Sequence, residues 1–397
     1  MEVVYLSLLF NVVVVFFYVR LRLAPTRELV VFTDPLSGKR REVDLSQKSC
    51  VNPLCPDHRK KGKSNLRIRR VYGKLHDRLL LSCATCGEEF SETRGTAYYN
   101  VKKPLQTFFS VLFHLNHHDG IRDTALKVGV HRDTVMGYGR RAAEHCRKVE
   151  KRLLRNLKCI EIQLDELWSF VKKKKKNVED IEEYLAGLGD RWTWVAFDPV
   201  SKFVIGHVSG KRVEEKCMQL LELVSKRVAK GKMLLTSDEL PCYASSILRV
   251  FGKLRSFPPT GKRGRPRKPC LMPDEDILYG TVHKERKKGR VVKVEERPVY
   301  GTLEEIQEFI KKSPVSNRIN TSFVERKNLD IRHRNRRMAR KTQSFSKDPQ
   351  MHDDLMHLTI AYGNFCRVHS SIKQSPAMAL GITDHIWSIE ELMSAAT

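Results

Sequence analysis

The sequence predicts an α/β protein with mixed strand directions, preceded by a cysteine-bearing module and a helical segment. Cys159–Asp165 alternates strictly, with Ile160, Ile162 and Leu164 on one side and Glu161, Gln163 and Asp165 on the other. That is the period of a half-buried strand. Trp192–Asp198 and Phe203–Val208 read as a hairpin across Pro199–Lys202. Val213, Cys217, Leu220, Leu221 and Val224 then follow helical spacing and lead to a short strand, Met233–Thr236. Strand, hairpin, crossover helix and strand make one α/β layer.

Composition bounds the partners. A chain of 397 residues is too long for one simple core and predicts two or three domains. Lys and Arg number 73 against 46 Asp and Glu, a net charge of +27, and 41% hydrophobic residues exclude general disorder. Such a surplus repels itself unless a polyanion neutralises it, so nucleic acid is the expected partner. The basic residues recur along the whole chain, unlike a juxtamembrane patch. Of ten cysteines, four fall in two close pairs, a pattern of metal binding in a reducing cytoplasm.

The segments follow in order. Residues 1–24 are an apolar segment, and Met1–Val19 is marginal in length for a membrane helix. Two readings stand: an anchor with Arg20, Arg22 and Arg27 on the cytoplasmic side, or an extension from a start placed too far upstream. The extension is favoured, and a membrane role is doubtful. Residues 25–47 read as a linker, 48–100 as a zinc ribbon, and 101–157 as a helical DNA-binding domain. The α/β core occupies 158–256 and 317–372, split by a basic insertion at 257–316 with one strand around Arg290–Val294. Helical patterning resumes at Thr321 and continues to Phe365, and 373–397 form a tail.

Cys50-x4-Cys55 and Cys83-x2-Cys86 are two knuckles whose four thiolates can close a tetrahedral site for one Zn²⁺. Leu79–Leu81 and Phe90 suit strands flanking the metal. Lys60, Lys61, Lys63, Arg67, Arg69 and Arg70 give the module a basic face. Gly120–Val135 has the pattern of a helix-turn-helix, with Ala125 and Leu126 packing the first helix and Gly129 making the turn. Val130 and Val135 anchor the second helix, leaving His131, Arg132, Thr134 and Arg140 to reach base edges or phosphates.

Asp165 ends the alternating strand on its polar face, and Asp238 follows the next strand. Glu325 opens an arginine-rich helix. Carboxylates at neighbouring element ends can hold two Mg²⁺ (or Mn²⁺) ions for in-line attack on a phosphodiester. Glu166 and Glu239 are rival carboxylates beside them, and Ser237-Asp238-Glu239 also reads as a helix cap. Arg332 lies seven residues beyond Glu325, two helical turns, so both project from one face. The basic run continues through Arg336, Arg337, Arg340 and Lys341 without the alternation of a solvated face.

Gln163-Leu-Asp-Glu-Leu-Trp-Ser-Phe-Val171, Phe323-Val-Glu-Arg-Lys-Asn328 and Arg337-Met-Ala-Arg-Lys-Thr-Gln-Ser-Phe-Ser346 resemble the insertion-sequence-one family of DDE transposases. So do Asn364-Phe-Cys-Arg-Val-His369 and Asp384-His-Ile-Trp387. The resemblance implies a zinc ribbon, a helix-turn-helix and a ribonuclease H-like catalytic core. It implies Asp165, Asp238 and Glu325 as the metal-binding catalytic triad, with Arg332 beside the glutamate. The implied activity is metal-dependent DNA cleavage and strand transfer on double-stranded DNA, both element ends and target, by a homodimer or larger assembly. Neither a small-molecule substrate nor a membrane is implied, and the expected location is the cytoplasm, on the nucleoid. A nuclease of the same fold and an inactive DNA-binding regulator are the rival readings.

Within the insertion, Lys262-Arg-Gly-Arg-Pro-Arg-Lys-Pro269 resembles an AT-hook, whose Arg265 and Arg267 would enter a narrow minor groove. A stiff basic loop is the equal alternative. Lys172–Lys176 reads first as a solvated loop and second as a phosphate contact.

Overall fold

The computed structural model describes residues 29–33, 40–73, 78–178, 181, 186–257, 267–288 and 290–395. It divides the chain into two units, Met1–Pro104 and Leu105–Ala395. The apolar Met1–Val19 stretch lies outside the described residues. Among the described residues, no helix is long and apolar enough to cross a membrane.

The first unit begins where a linker was expected, with an antiparallel pair, β1 (Leu29–Thr33) and β2 (Arg40–Asp44). A three-stranded sheet follows, β3 (Leu66–Tyr72), β4 (Arg78–Cys83) and β5 (Glu89–Ser91), in that order. Leu79 and Leu81 alternate inward on β4 and are fully buried. Together with Val43, Leu45, Leu66 and Phe90 they enclose Cys50, Cys55 and Cys83. A core this small ordinarily needs a bound metal or disulfides for independent stability.

The second unit opens with three helices, α1 (Leu105–Leu115), α2 (Ile121–Val128) and α3 (Arg132–Leu153). Gly129 caps α2 in the left-handed region (φ 68°), where a side chain would be strained, and turns the chain into α3. The expected packing of this turn needs one correction. Leu126 is 84% exposed and Thr124 is buried on the first helix instead, while Val135 is buried as expected. At Gly139 a Cβ would meet Met351 and Leu355 at 3.0 and 3.1 Å, so the glycine lets a later helix cross closely.

The sheet contains β6 (Glu161–Val171), β7 (Gly189–Asp198), β8 (Phe203–Gly210) and, after helix α4 (Glu214–Arg227), β9 (Met233–Asp238). Helix α5 (Cys242–Phe251) and a short pair, β10 (Lys253–Arg255) and β11 (Cys270–Met272), come next. Two long strands complete it, β12 (Ile277–Lys287) and β13 (Arg290–Tyr300). The order is β13-β12-β9-β6-β7-β8. β6, β7 and β8 are antiparallel neighbours, while β9 runs parallel to β6 and β12 parallel to β9. An antiparallel three-strand meander whose first strand continues into two parallel strands is the ribonuclease H-like arrangement.

Two expectations change here. Residues 257–316 are not wholly an insertion, because β12 is a core strand of the sheet. Its Leu278 and Val282 pack with Ile306 and Ile310 of helix α6 (Leu303–Lys311) and with Ile319. Nor does one helix run from Thr321 to Phe365. Helix α7 (Ser322–Arg334) stops at Asn335, and α8 (Pro349–Phe365) restarts with Asp348 as its cap and Pro349 in its first turn. Val324, Ile331, Met356 and Ile360 cover Leu167, Val195, Phe197 and Val204 of the sheet. Two short helices, α9 (Pro376–Ala379) and α10 (Ile389–Ser394), close the unit.

Candidate active site

The parallel pairing of β6 with β9 matches Glu161 to Leu234, Ile162 to Leu235 and Gln163 to Thr236, then stops. Two residues further along each strand stand Asp165 and Asp238, on the face that Gln163 and Thr236 set. The two strands part at that point, while β6 continues along β7 to Phe170. Asp165 therefore lies within an 11-residue strand, not at a strand end as expected, but it sits where the β6–β9 ladder ends. Oxygens of Asp165, Glu166 and Asp238 all lie within 4.8 Å of one another.

Successive strand residues face opposite ways, so Glu166 should point away from Asp165. The gap between β6 and β9 lets it reach the same cluster from the other side. Its carboxylate accepts from Arg212 at 2.8 and 3.1 Å and from the hydroxyl of the fully buried Tyr243 on α5. Helix α7 lies on the opposite face, along β6. Val324 N donates to Gln163 Oε1 at 3.0 Å, Asn328 Nδ2 to Asp165 Oδ2 at 2.8 Å, and Arg332 Nη2 to the Trp168 carbonyl at 2.8 Å.

Glu325, the third acidic residue expected, lies outside this cluster. It sits one turn before Asn328 on the same helix face. Its side chain accepts from Lys284 Nζ on β12 and from Thr321 Oγ1 at 2.8 Å. Val282 pairs with Asp238, so Lys284 stands two residues above the cluster and attracts the carboxylate. Arg332 is also committed: a second bond joins its Nη1 to the Met338 carbonyl at 2.6 Å. Burial, with the Arg340 charge, lowers its pKa to about 10. It braces α7 against β6. Glu239, the other rival, pairs with His283 and Arg297 instead.

Burial, reinforced by Glu166 and Asp238, pushes the Asp165 carboxyl up to about 7. Burial also raises Glu166, against the bonds from Tyr243 and Arg212. Like charges gathered out of water call for a neutralising cation. Asn328 Oδ1 beside them is buried without a hydrogen-bond partner. Hard oxygen donors of this kind fit Mg²⁺ or Mn²⁺.

The cysteine cluster fits a different ion. Cys50, Cys55, Cys83 and Cys86 each offer a sulfur within 4.8 Å of the others. Cys50 and Cys86 are 3.6 Å apart, and Cys55 and Cys83 are 3.9 Å apart. A tetrahedron with Zn–S of about 2.3 Å has edges of about 3.8 Å, so these sulfurs suit one Zn²⁺.

The family signature lies in the second half of the chain. Residues 293–366, which include Glu325, Asn328 and Arg332, match the family model described as IS1 transposase. That segment of the chain is similar to the IS1 transposase family. No curated protein matches the chain. Among solved structures, the Mos1 strand transfer complex aligns at 16% identity and a TM-score of 0.15, over 32% of this chain and 48% of that one. The Mos1 transposase paired-end complex with left transposon end aligns at 14% and 0.15, over 32% and 51%. The chain thus spans about half the length of these two structures.

The remaining residues singled out from the sequence are placed variously. His131 and Arg132 are exposed at the start of α3, His131 capping it by accepting from Asp133 N at 3.3 Å. Thr134 is half-buried, and Arg140 is exposed 3.7 Å from Asp348. Arg340 and Lys341 are exposed. Arg336 is turned to His118 Nε2 at 2.7 Å, and Arg337 to Ser346 Oγ at 3.2 Å, with its pKa lowered to about 10 by burial. Arg265 lies outside the described residues, while Arg267 is exposed and stacks 4.0 Å over Phe257. Asn328, Gln163 and Lys284 bear on the site without having been chosen from sequence, and Glu166 was named there only as a rival carboxylate. Two of them flank chosen residues closely, Glu166 next to Asp165 and Asn328 three residues after Glu325.

Proposed function

We propose that this chain is a DDE transposase of an insertion sequence. It binds the element's terminal inverted repeats, cleaves at the ends, and joins the freed 3′-hydroxyls to target DNA. The observation that carries the reading is the convergence of Asp165, Glu166 and Asp238 where β6 and β9 part. The match of residues 293–366 to the IS1 transposase model supports it.

Asp165 and Asp238 would hold two divalent cations, and Glu325, now paired with Lys284, would complete the set. Bound there, the ions activate water or a 3′-hydroxyl and stabilise the attacking and leaving oxygens of the phosphodiester. Asn328 orients Asp165 by its bond to Oδ2. Arg212 and Tyr243 fix Glu166, and Gln163 fixes the start of the helix that presents Glu325. The cysteine module binds zinc and, with the helix-turn-helix through His131, Arg132, Thr134 and Arg140, recognises the repeats. Arg340 and Lys341 contact backbone phosphates, and Arg265 and Arg267 reach a minor groove. Two ends must be brought together, so the working form is a dimer or larger, acting on the nucleoid in the cytoplasm. The segments are 48–100 (zinc ribbon), 101–157 (helix-turn-helix) and 158–372 (core), the last including β12 and α6.

A strand-transfer assay on labelled element ends tests this. Asp165→Asn keeps the Asn328 contact in shape but removes a charge from the cluster, and should abolish both cleavage and joining with Mg²⁺ or Mn²⁺. If the variant joins ends as well as the unaltered chain, the assignment of Asp165 fails. If the unaltered chain cleaves but never joins, it is a nuclease.

A further inference from the structure

β12 is held by β9 only as far as Val282, which pairs with Asp238. Beyond that level β12 and β13 pair only with each other, from His283↔Glu295 to Lys287↔Arg290. Five further residues at about 3.3 Å each give a two-stranded ribbon extending roughly 17 Å past the mouth of the carboxylate cluster. Residues 283–295 carry six Lys or Arg side chains against two Glu. Val291, Val292 and Val294 are 44%, 51% and 48% exposed. Lys293 and Val294 are successive, regularly paired and both exposed, so they face opposite sides and neither face of the ribbon is packed on protein. An isolated two-stranded ribbon is marginal in water and needs a partner. The major groove of B-DNA, about 12 Å wide, admits a two-stranded ribbon, and thymine methyls offer apolar contact to valines. The charge selects a polyanion over a second protein surface.

Taking the transposase reading as its basis, we propose that the 283–295 ribbon enters the major groove of the DNA beside the scissile phosphate. Lys287, Lys288, Arg290 and Lys293 contact phosphates, while Val291 and Val292 touch base edges.

The test uses the full-length chain with Lys287→Glu, Lys288→Glu and Arg290→Glu combined. A second variant replaces residues 286–292 by Asn-Gly, leaving the β9–β12 pairing and Lys284 in place. Binding to end-sequence duplex is measured across salt concentrations, and dimethyl sulfate protection reports guanine N7 in the major groove. Mn²⁺ binding to the cluster, followed by electron paramagnetic resonance, reports whether the core is intact. Both variants should keep Mn²⁺ binding, bind DNA at least about tenfold more weakly, and lose N7 protection beside the cleavage point. The slope of log affinity against log salt should fall by about two to three. Unchanged affinity, slope and protection with Mn²⁺ binding retained overturn the ribbon's role. A change of oligomeric state with DNA binding unaltered also overturns it, in favour of a second copy. If the unaltered chain binds no DNA, the transposase reading fails instead.

Discussion

Gln163→Leu should loosen the candidate site without touching a carboxylate. Gln163 is fully buried on β6. Its Oε1 accepts from Val324 N at 3.0 Å and its Nε2 donates to Asn320 Oδ1 at 3.1 Å. Thr321 at the N-cap makes no side-chain cap bond, so Gln163 serves the first turn of α7 from another element. Leucine is similar in size, so little cavity forms, but the buried Val324 N–H is orphaned at about 1–3 kcal/mol. Loss of the second bond adds about 0.5–1.5 kcal/mol, giving roughly 2–4 kcal/mol in all. For a unit this large that is a fall in Tm on the order of 4–16 °C. Because α7 carries both Asn328 and Glu325, Mn²⁺ affinity should drop as well, even at temperatures where the variant is fully folded. Thermal denaturation paired with Mn²⁺ titration measures both effects. A Gln163→Leu chain within 0.5 kcal/mol of the unaltered one, with equal Mn²⁺ affinity, refutes the cross-element cap.

Two further outcomes can be checked together. Cys83→Ser should abolish binding of one zinc per chain and leave the small first unit unfolded, because structural zinc contributes about 10–16 kcal/mol, as much as a domain's whole stability; stoichiometric zinc retained by the variant would contradict this. For pH, burial lowers His207 and His352 to about 3 and His145 to about 4. Unfolded histidine titrates near 6.5, so the unfolded chain takes up protons first and stability is lost as pH falls from about 6.5 toward 3–4. Asp165, raised to about 7, acts in the opposite sense, so the comparison of His352→Gln with the unaltered chain isolates the imidazole. The variant's Tm should depend less on pH between 7.5 and 5; an equal or steeper dependence counts against the reasoning.

Much of the α/β layer was legible because strict alternation at 159–165 and the apolar run at 233–236 announce strands whose faces are buried. β12 was not, since Gly280 and the lysine-rich extension past Val282 dilute its pattern, although Ile277–Tyr279 is an apolar run. The break after Arg334 was hidden by uniform basic composition, with Pro349 as the overlooked signal. Asp165 and Asp238 were legible as acidic residues closing strand patterns. Glu166 was legible only as a rival carboxylate, and it is the parting of β6 from β9 that brings it in. Glu325's partner Lys284 is 41 residues away, a contact that no local pattern encodes.

Helix α3 joins two places that are far apart along its length. Its first residue follows the Gly129 turn, and near its other end the buried Glu150 pairs with Arg227 at 3.1 Å and His357 at 3.3 Å. Twenty-two residues at 1.5 Å make a stiff rod of about 33 Å. If the turn reads sequence and the sheet cuts, that rod works as a ruler. Inserting a few base pairs between the recognised site and the broken bond would then be measured, not accommodated.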